Sequence, residues 1–387
     1  MGQRVTHTCK RWSCLSSPRL QGTLLIVLTF FVFSPNQINL TTKQHLSHSM
    51  KEGQAAVEYL KQLLPPMNSI LPPRLFRKSD GKMRLVVTVI TVRRTPQYHY
   101  LMQVVSRFHR LLVECGNDCP RTHLFICNVD RKPSSHEDAV ILNKIFHHTE
   151  RNNTDPQYFT TDPQHIHRNP FEKEKRDYIY CLEETLLSFS PEYVLLVEDD
   201  AVPEAEIFRV LNYLLLFRFP GRPLGGALYI KLYHPERLQN YLNPEPMRIL
   251  EWLGVGMFVG TIFSLLYAQA RRQTRPTWRT VIFFALYSMV LVEVVGRHYL
   301  LELRRLSPSL YNLAPATECC TQAMLYSSSS AQRVLGYLSE IQCKPGFAKD
   351  TALYSILQQT EEWALVVEPN LVQHIGLFSS LPRGRSK

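Results

Sequence analysis

Three acidic residues in succession, Glu198, Asp199 and Asp200, follow directly on an apolar run over residues 193–197. Like charges this close repel and raise one another's pKa, so the cluster calls for a bound cation. In an extended segment Glu198 and Asp200 project to one side and Asp199 to the other, which leaves two carboxylates to face one ion. Oxygen ligands suit a hard divalent ion, Mn²⁺ or Mg²⁺, of the kind that also holds a diphosphate. The competing reading is a solvated acidic turn leading into a helix near Glu204, where acids favour the N-terminus. His165 and His167 alternate in a polar stretch, and no other residue there points to metal.

The elements around the cluster follow from hydrophobic spacing. Residues 85–92 are an apolar, β-branched run bounded by Arg93 and Arg94, the pattern of a buried strand. Tyr98, Leu101, Val104, Val105, Phe108, Leu111 and Leu112 then recur at three and four residues, the stripe of a helix lying on a sheet. Residues 123–129 read as a second strand ending at Asp130, residues 138–146 as a helix, and residues 147–169, with two Asp-Pro pairs, as a loop. Asn169 and Pro170 open a helix through Tyr178, Cys181, Leu182 and Leu186, and residues 193–197 form the next strand. This alternation predicts an α/β fold with a parallel sheet, whose ligands bind beyond the carboxyl ends of the strands. Further on, CKPGFAKD (343–350) is a glycine-containing loop opening a helix at Asp350, where an acid is ordinarily structural. His374 follows a strand-like run at 364–367, and a lone histidine is ordinarily structural too.

The chain has 387 residues, 45% apolar and 20% charged, with nine cysteines and a net charge of +11. Much of that excess sits in residues 1–19 and 271–279, which carry four basic residues each and no acid. The remainder is nearly balanced and gives a nucleic-acid surface little to stand on. Beside the basic clusters lie apolar stretches. Residues 20–33 carry no charge and extend to an anchor over 20–40, without a small-x-small cleavage site after it. Residues 252–270 are uncharged, and residues 280–296 are broken only by Glu293, placed four residues before Arg297 to pair with it on a helix. Basic residues stay cytosolic, so the N-terminus and the 271–279 turn lie inside and the rest is lumenal, against the pull of Arg297, Arg304 and Arg305. Both sequons, Asn39 and Asn152, fall in the lumenal part. Seven cysteines, Cys115, Cys119, Cys127, Cys181, Cys319, Cys320 and Cys343, fall there as well, in a compartment where disulfides persist. Cys115 with Cys119 is the natural local loop; Cys127 with Cys181 and Cys343 with Cys319 or Cys320 are further pairings to expect without a spacing that fixes them, and an odd number leaves one thiol over. Cys9 and Cys14 are cytosolic, next to the anchor.

The segment YVLLVEDDAVP (193–203) resembles the metal-binding acidic motif of GT-A glycosyltransferases. EKEKRDYIYCL (172–182), TVRR (91–94) and QHIGLFSSL (373–381) are similar to segments of the branching N-acetylglucosaminyltransferases in that class. With three spans, two of them an inserted hairpin, the chain resembles over nearly its full length the Golgi family that adds N-acetylgalactosamine to glycosylphosphatidylinositol (GPI) anchors. The resemblance implies a cytosolic tail (1–19), an anchor (20–40), a stem (41–84) and a GT-A domain in two parts (85–251 and 297–387). These parts flank spans at 252–270 and 280–296 joined by the turn at 271–279. It implies an inverting, UDP-GalNAc-dependent enzyme acting in β1,4 linkage on the first mannose of protein-linked GPI. Asp350 becomes the base. Glu198, Asp200 and His374 become ligands of Mn²⁺ or Mg²⁺, and Thr91, Val92, Arg93, Asp130 and Asp199, with Lys175 and Asp177, nucleotide contacts. A transferase acting on N-glycans, or a non-enzymatic membrane adaptor, are the rival readings; the hairpin argues against the first.

Overall fold

The computed structural model describes residues 38–64, 84–115, 119, 121–151, 169–241 and 245–376. The expected anchor lies outside them except for its last three residues, and so do Asn152, Cys9, Cys14, His165 and His167; at Asn39 only the helical backbone is described. The chain divides into two units, one holding Gln239–Tyr299 and the other holding Leu46–Leu238 with Leu300–Lys387.

The elements run in the order α1 (Ile38–Gln62), β1 (Leu85–Thr91), α2 (Tyr100–Cys115), β2 (Thr122–Asn128), α3 (Glu137–Leu142), β3 (His147–Glu150) and α4 (Pro170–Phe189). They continue with β4 (Tyr193–Glu198), β5 (Ala201–Pro203), α5 (Ile207–Tyr213), β6 (Tyr229–Lys231), α6 (Pro246–Ala270), α7 (Trp278–Val295) and α8 (Arg297–Leu301). The last are β7 (Asn312–Pro315), β8 (Ala323–Ser327), α9 (Ser328–Glu340), α10 (Lys349–Gln359), β9 (Ala364–Glu368) and β10 (Val372–His374).

In the larger unit, eight strands form one sheet in the order β3-β2-β1-β4-β8-β6-β9-β7. Half of it is the expected parallel sheet: β3, β2, β1 and β4 all run the same way. The other half departs from that expectation, because β8 is antiparallel to both β4 and β6, and β7 is antiparallel to β9. The fold is therefore mixed α/β. A central strand must be apolar on both faces, and β4 is. Its Tyr193, Leu195 and Val197 join one core with Leu101, Val105 and Phe108 of α2 and Ile207 and Leu211 of α5. Val194 and Leu196 join a second core with Tyr178 and Leu182 of α4, Val334 and Leu338 of α9 and Leu353 of α10. Helix α4 begins where the sequence places it, with the Asn169 side chain accepting the Glu172 N–H at 3.3 Å and Pro170 at the first position. Strand β3 was hidden in a stretch that reads as loop. Its sequence, HHTE, has no apolar pattern, and it is held by pairing with β2 and by Tyr180, whose hydroxyl bonds Thr149 Oγ1 at 2.9 Å and the Glu150 carbonyl at 3.2 Å.

Three disulfides are present among the described residues: Cys115–Cys119, Cys127–Cys181 and Cys319–Cys320. The expected pairing of Cys343 is corrected, since the neighbours Cys319 and Cys320 join each other and leave Cys343 as the spare thiol. Cys343 is buried, and burial pushes its thiol up to about 11.

In the smaller unit, α6 and α7 are each long and apolar enough to cross a membrane. They pack through small residues: a Cβ at Gly260 would lie 2.5 Å from Cα of Ala285, and one at Gly256 would lie 2.3 Å from Cγ of Met289. This Gly-x-x-x-Gly spacing lets helix backbones approach where no hydrophobic force drives them together. Arg297 donates to Glu251 at 2.8 Å, and Glu293, expected to pair with Arg297, accepts the Tyr241 N–H at 3.3 Å. Gly260→Val is expected to push the helices apart and destabilise the full chain in detergent by roughly 1–3 kcal/mol, read as a lowered Tm. Gly254→Val, whose Cβ meets nothing within 4 Å, is the control that leaves Tm unchanged.

Candidate active site

Because β1 and β4 are parallel neighbours with Ile90 opposite Glu198, the chain leaves both strands at one place. Thr91 Oγ1 and the Val92 N–H donate to Oδ2 of Asp199 at 2.8 and 3.2 Å. Arg94 then spans both aspartates, with Nε 2.8 Å from Asp199 Oδ1 and Nη1 2.6 Å from Asp200 Oδ2. The short β5–β10 sheet adds the third side, since its register sets His374 opposite Ala201 and brings Nε2 to 3.2 Å from Asp200 Oδ2. Gly376 follows, and a Cβ there would lie 2.0 Å from the same oxygen, so only glycine lets the backbone pass so close.

The electrostatics follow from burial. Burial raises the Asp199 carboxyl, to about 6, against the pull of Arg94. Burial acts the same way on Asp200, but the hydrogen bond from His374 and the charge of Arg94 overcome it and hold that carboxyl below the usual carboxylate range. His374 is raised in return, first by its hydrogen bond to Asp200.

Glu198 does not share this arrangement. The chain turns at Asp199 and Asp200 instead of staying extended, so the expected alternation fails and the two aspartates face Arg94 together. Glu198 faces Lys349 at 3.2 Å and accepts the Thr321 hydroxyl at 3.0 Å. Among the described residues no group of three or more His, Cys, Asp or Glu side chains is gathered as a metal site, so Glu198, Asp200 and His374 do not form the expected ligand cluster. Asp200 and His374 do meet, and Oδ1 of Asp200 is buried with no hydrogen-bond partner among the described residues. An oxygen left in that condition, beside an imidazole, fits a divalent ion that takes its other ligands from phosphate and water.

A cavity of about 360 Å³ opens beyond the strand ends. Val92, Arg93 and Asp130 line it, with the Arg93 N–H donating to Asp130 Oδ2 at 2.9 Å. Asp177 lines it too, paired with Arg151 at 2.9 Å and with Lys173. Lys175 does not; it pairs with Glu172 at 3.0 Å and lines a separate groove between α4 and α9. The helix phase explains this, because residues 173, 174, 177 and 178 face the cavity while 172, 175 and 176 face away. Asp350 sits in the first turn of α10, its Oδ2 accepting the Cys320 N–H at 3.3 Å, one residue from the cavity-lining Lys349.

Residues 85–373 match the family described as GPI-N-acetylgalactosamine transferase PGAP4. The chain belongs to that family. The segment shared with the PGAP4 family takes in the ten described strands except His374, so the whole cavity, the second core and all of the first core but Ala56 and Leu60 of α1 lie within it. It also brings in two cations that the sequence left unassigned. Lys349 is buried between Glu174 at 3.0 Å and Glu198 at 3.2 Å, 4.6 Å over the Tyr178 ring, and burial, which opposes its charge, is outweighed by the two glutamates that raise its pKa. Arg94 is the other, signalled in the sequence only by its place as the second arginine after a buried strand, in the TVRR segment.

Arg94→Met is expected to leave two buried carboxylates without their guanidinium, destabilising the protein by about 3–5 kcal/mol. The sign with pH is fixed by Asp199, whose folded pKa already lies above its unfolded value: stability is held at low pH and lost as pH rises through about 6. The variant's Tm deficit should therefore be larger near pH 7.5 than near pH 5, in thermal melts at both.

Proposed function

We propose that this chain is an inverting glycosyltransferase of the Golgi membrane that moves N-acetylgalactosamine from UDP-GalNAc, in β1,4 linkage, to the first mannose of protein-linked GPI. One observation carries the reading beyond the family: the 360 Å³ cavity joins the ends of β1, β2 and β4 to the start of α10. That is where a parallel sheet binds nucleotides, and it is open to a group presented from α10.

Val92, Arg93 and Asp130 are placed to take uracil and ribose, and Arg131 on the cavity wall suits the diphosphate. Asp199 does not contact donor in this reading; it fixes the β1 turn through Thr91, Val92 and Arg94. Asp200 and His374 would hold a divalent ion, Mn²⁺ or Mg²⁺, which when bound offsets charge on the departing diphosphate. Asp350 takes the proton of the acceptor hydroxyl as that oxygen attacks the sugar C1 from the face opposite UDP. The helices α6 and α7, with the anchor over 20–40, pin the enzyme to the bilayer in which its acceptor is held, which raises the local acceptor concentration.

Asp350→Asn is expected to lower transfer by roughly 10²–10⁴-fold while UDP-GalNAc binding and Tm stay as in the parent. The check is made in cells lacking the chain: anchors released and weighed by mass spectrometry regain the HexNAc branch with the parent and lack it with Asp350→Asn. Full restoration by Asp350→Asn rejects the base assignment. Asp200→Ala should lose the cation-dependent part of donor binding, measured by titrating UDP with and without Mn²⁺.

A further inference from the structure

Lys231, the last residue of β6, is buried in the larger unit, and the reaction scheme above does not use it. Its Nζ donates to the carbonyls of Thr317 and Cys319 at 2.6 and 2.8 Å. Those residues belong to a strap between β7 and β8 whose other side grips the start of α10. There the Cys320 N–H donates to Asp350 Oδ2 at 3.3 Å, and the Thr351 hydroxyl donates to Glu318 at 2.9 Å. The strap is fixed at every residue: Thr317 Oγ1 is 3.1 Å from His234 Nε2, and Cys319 is bonded to Cys320. Cys320 has a φ of 80°, a left-handed conformation that an L side chain keeps only when its surroundings enforce it.

From this geometry we infer that Lys231 is a positioning residue for transfer, clamping the 317–320 strap so that the Cys320 N–H holds the Asp350 carboxylate at the acceptor. The inference rests on the assignment of Asp350 as base and adds the device that orients it. An ammonium is suited to the task, since charge-assisted hydrogen bonds to two carbonyls are about twice as strong as neutral ones. The charged groups facing it are Asp350 from α10 and Glu318 from the strap, with the Tyr229 ring 5.9 Å away on its own strand. Burial lowers Lys231 to about 8 in spite of those two carboxylates, so the clamp weakens as pH rises through that value.

The experiment uses the full chain in detergent with radiolabelled UDP-GalNAc and a GPI-anchored acceptor protein. Lys231→Met should lower kcat by roughly tenfold to a hundredfold, the effect of misplacing a reacting group, with the donor KM within about twofold of the parent. A parental kcat in that variant overturns the inference. The parent itself supplies a second arm that does not depend on a variant folding. Its kcat should fall on the alkaline side near pH 8 at constant donor KM, and Lys231→Arg, which stays protonated, should remove that limb. A parental kcat flat from about pH 7 to about pH 9.5, or a limb unmoved in Lys231→Arg, overturns it as well. Asp350→Asn separates the two levels: if it transfers normally the base assignment has failed, whereas if it is inert and Lys231→Met is not impaired only the clamp has.

Discussion

A pair of adjacent buried carboxylates, Asp199 and Asp200, is tolerated because one guanidinium touches both. Without compensation their burial would cost several kcal/mol each. The arrangement makes demands on distant parts of the chain: Arg94 comes from the turn after β1, the aspartates from the turn after β4, and His374 from β10. These three meet only if β1 and β4 are adjacent and parallel and if β10 returns to pair with β5. The sheet order and the charge arrangement are in this sense one constraint, since any other placement of β1 would strand Asp199 and Asp200 without Arg94.

The segment holding α6 and α7 enters between β6 and β7, and both of those strands pair with β9. The insertion therefore interrupts one sheet instead of separating two domains. What returns after it completes the cavity: β8 lies against β4, and α10 supplies Lys349, which pairs with both Glu198 of β4 and Glu174 of α4. The acidic strand end and the proposed base thus belong to parts of the sequence far apart, and neither is finished until the chain beyond the apolar helices has folded back.

How much of this was legible depends on amplitude. Strands β1, β2 and β4 and helices α2 and α4 carry long apolar patterns or a cap; the strands and both helix starts stand within two residues of expectation, and α2 and α4 each run three residues past the last apolar residue of their stripe. Strand β3 carries no such pattern, and β8 gives no sign in its own sequence that it will run antiparallel. The helix read at 138–146 stops at Leu142. At the site, residue types were informative and directions were not. The strand end pointed to Glu198, Asp199 and Asp200, but the turn that puts Asp199 beside Asp200 and leaves Glu198 to Lys349 depends on partners more than a hundred residues away. Lys175, read as a nucleotide contact, lies off this cavity for a similar reason: a helix face is known only when the phase of its buried stripe is known, and Tyr178 is in that stripe.

The charges lining the cavity are balanced, with five basic and five acidic residues. Several acids are already engaged: Asp199 by Arg94, Asp177 by Lys173, and Glu174 and Glu198 by Lys349. On the proposed reading a nucleotide diphosphate enters this neutral cavity with charge that no standing pair offsets. It binds either by taking a base from an acid, which leaves that acid buried and unpaired, or by bringing a cation of its own. The second course is the less costly, and on that reading Asp200 Oδ1, bare and beside His374, would take a metal ion that adds positive charge without breaking an ion pair of the cavity wall. The geometry of the aspartate pair then has a consequence beyond stability. Arg94 and His374 both hold Oδ2 of Asp200 and leave Oδ1 bare, so on that reading the contacts that permit the burial also set which oxygen would remain for an ion.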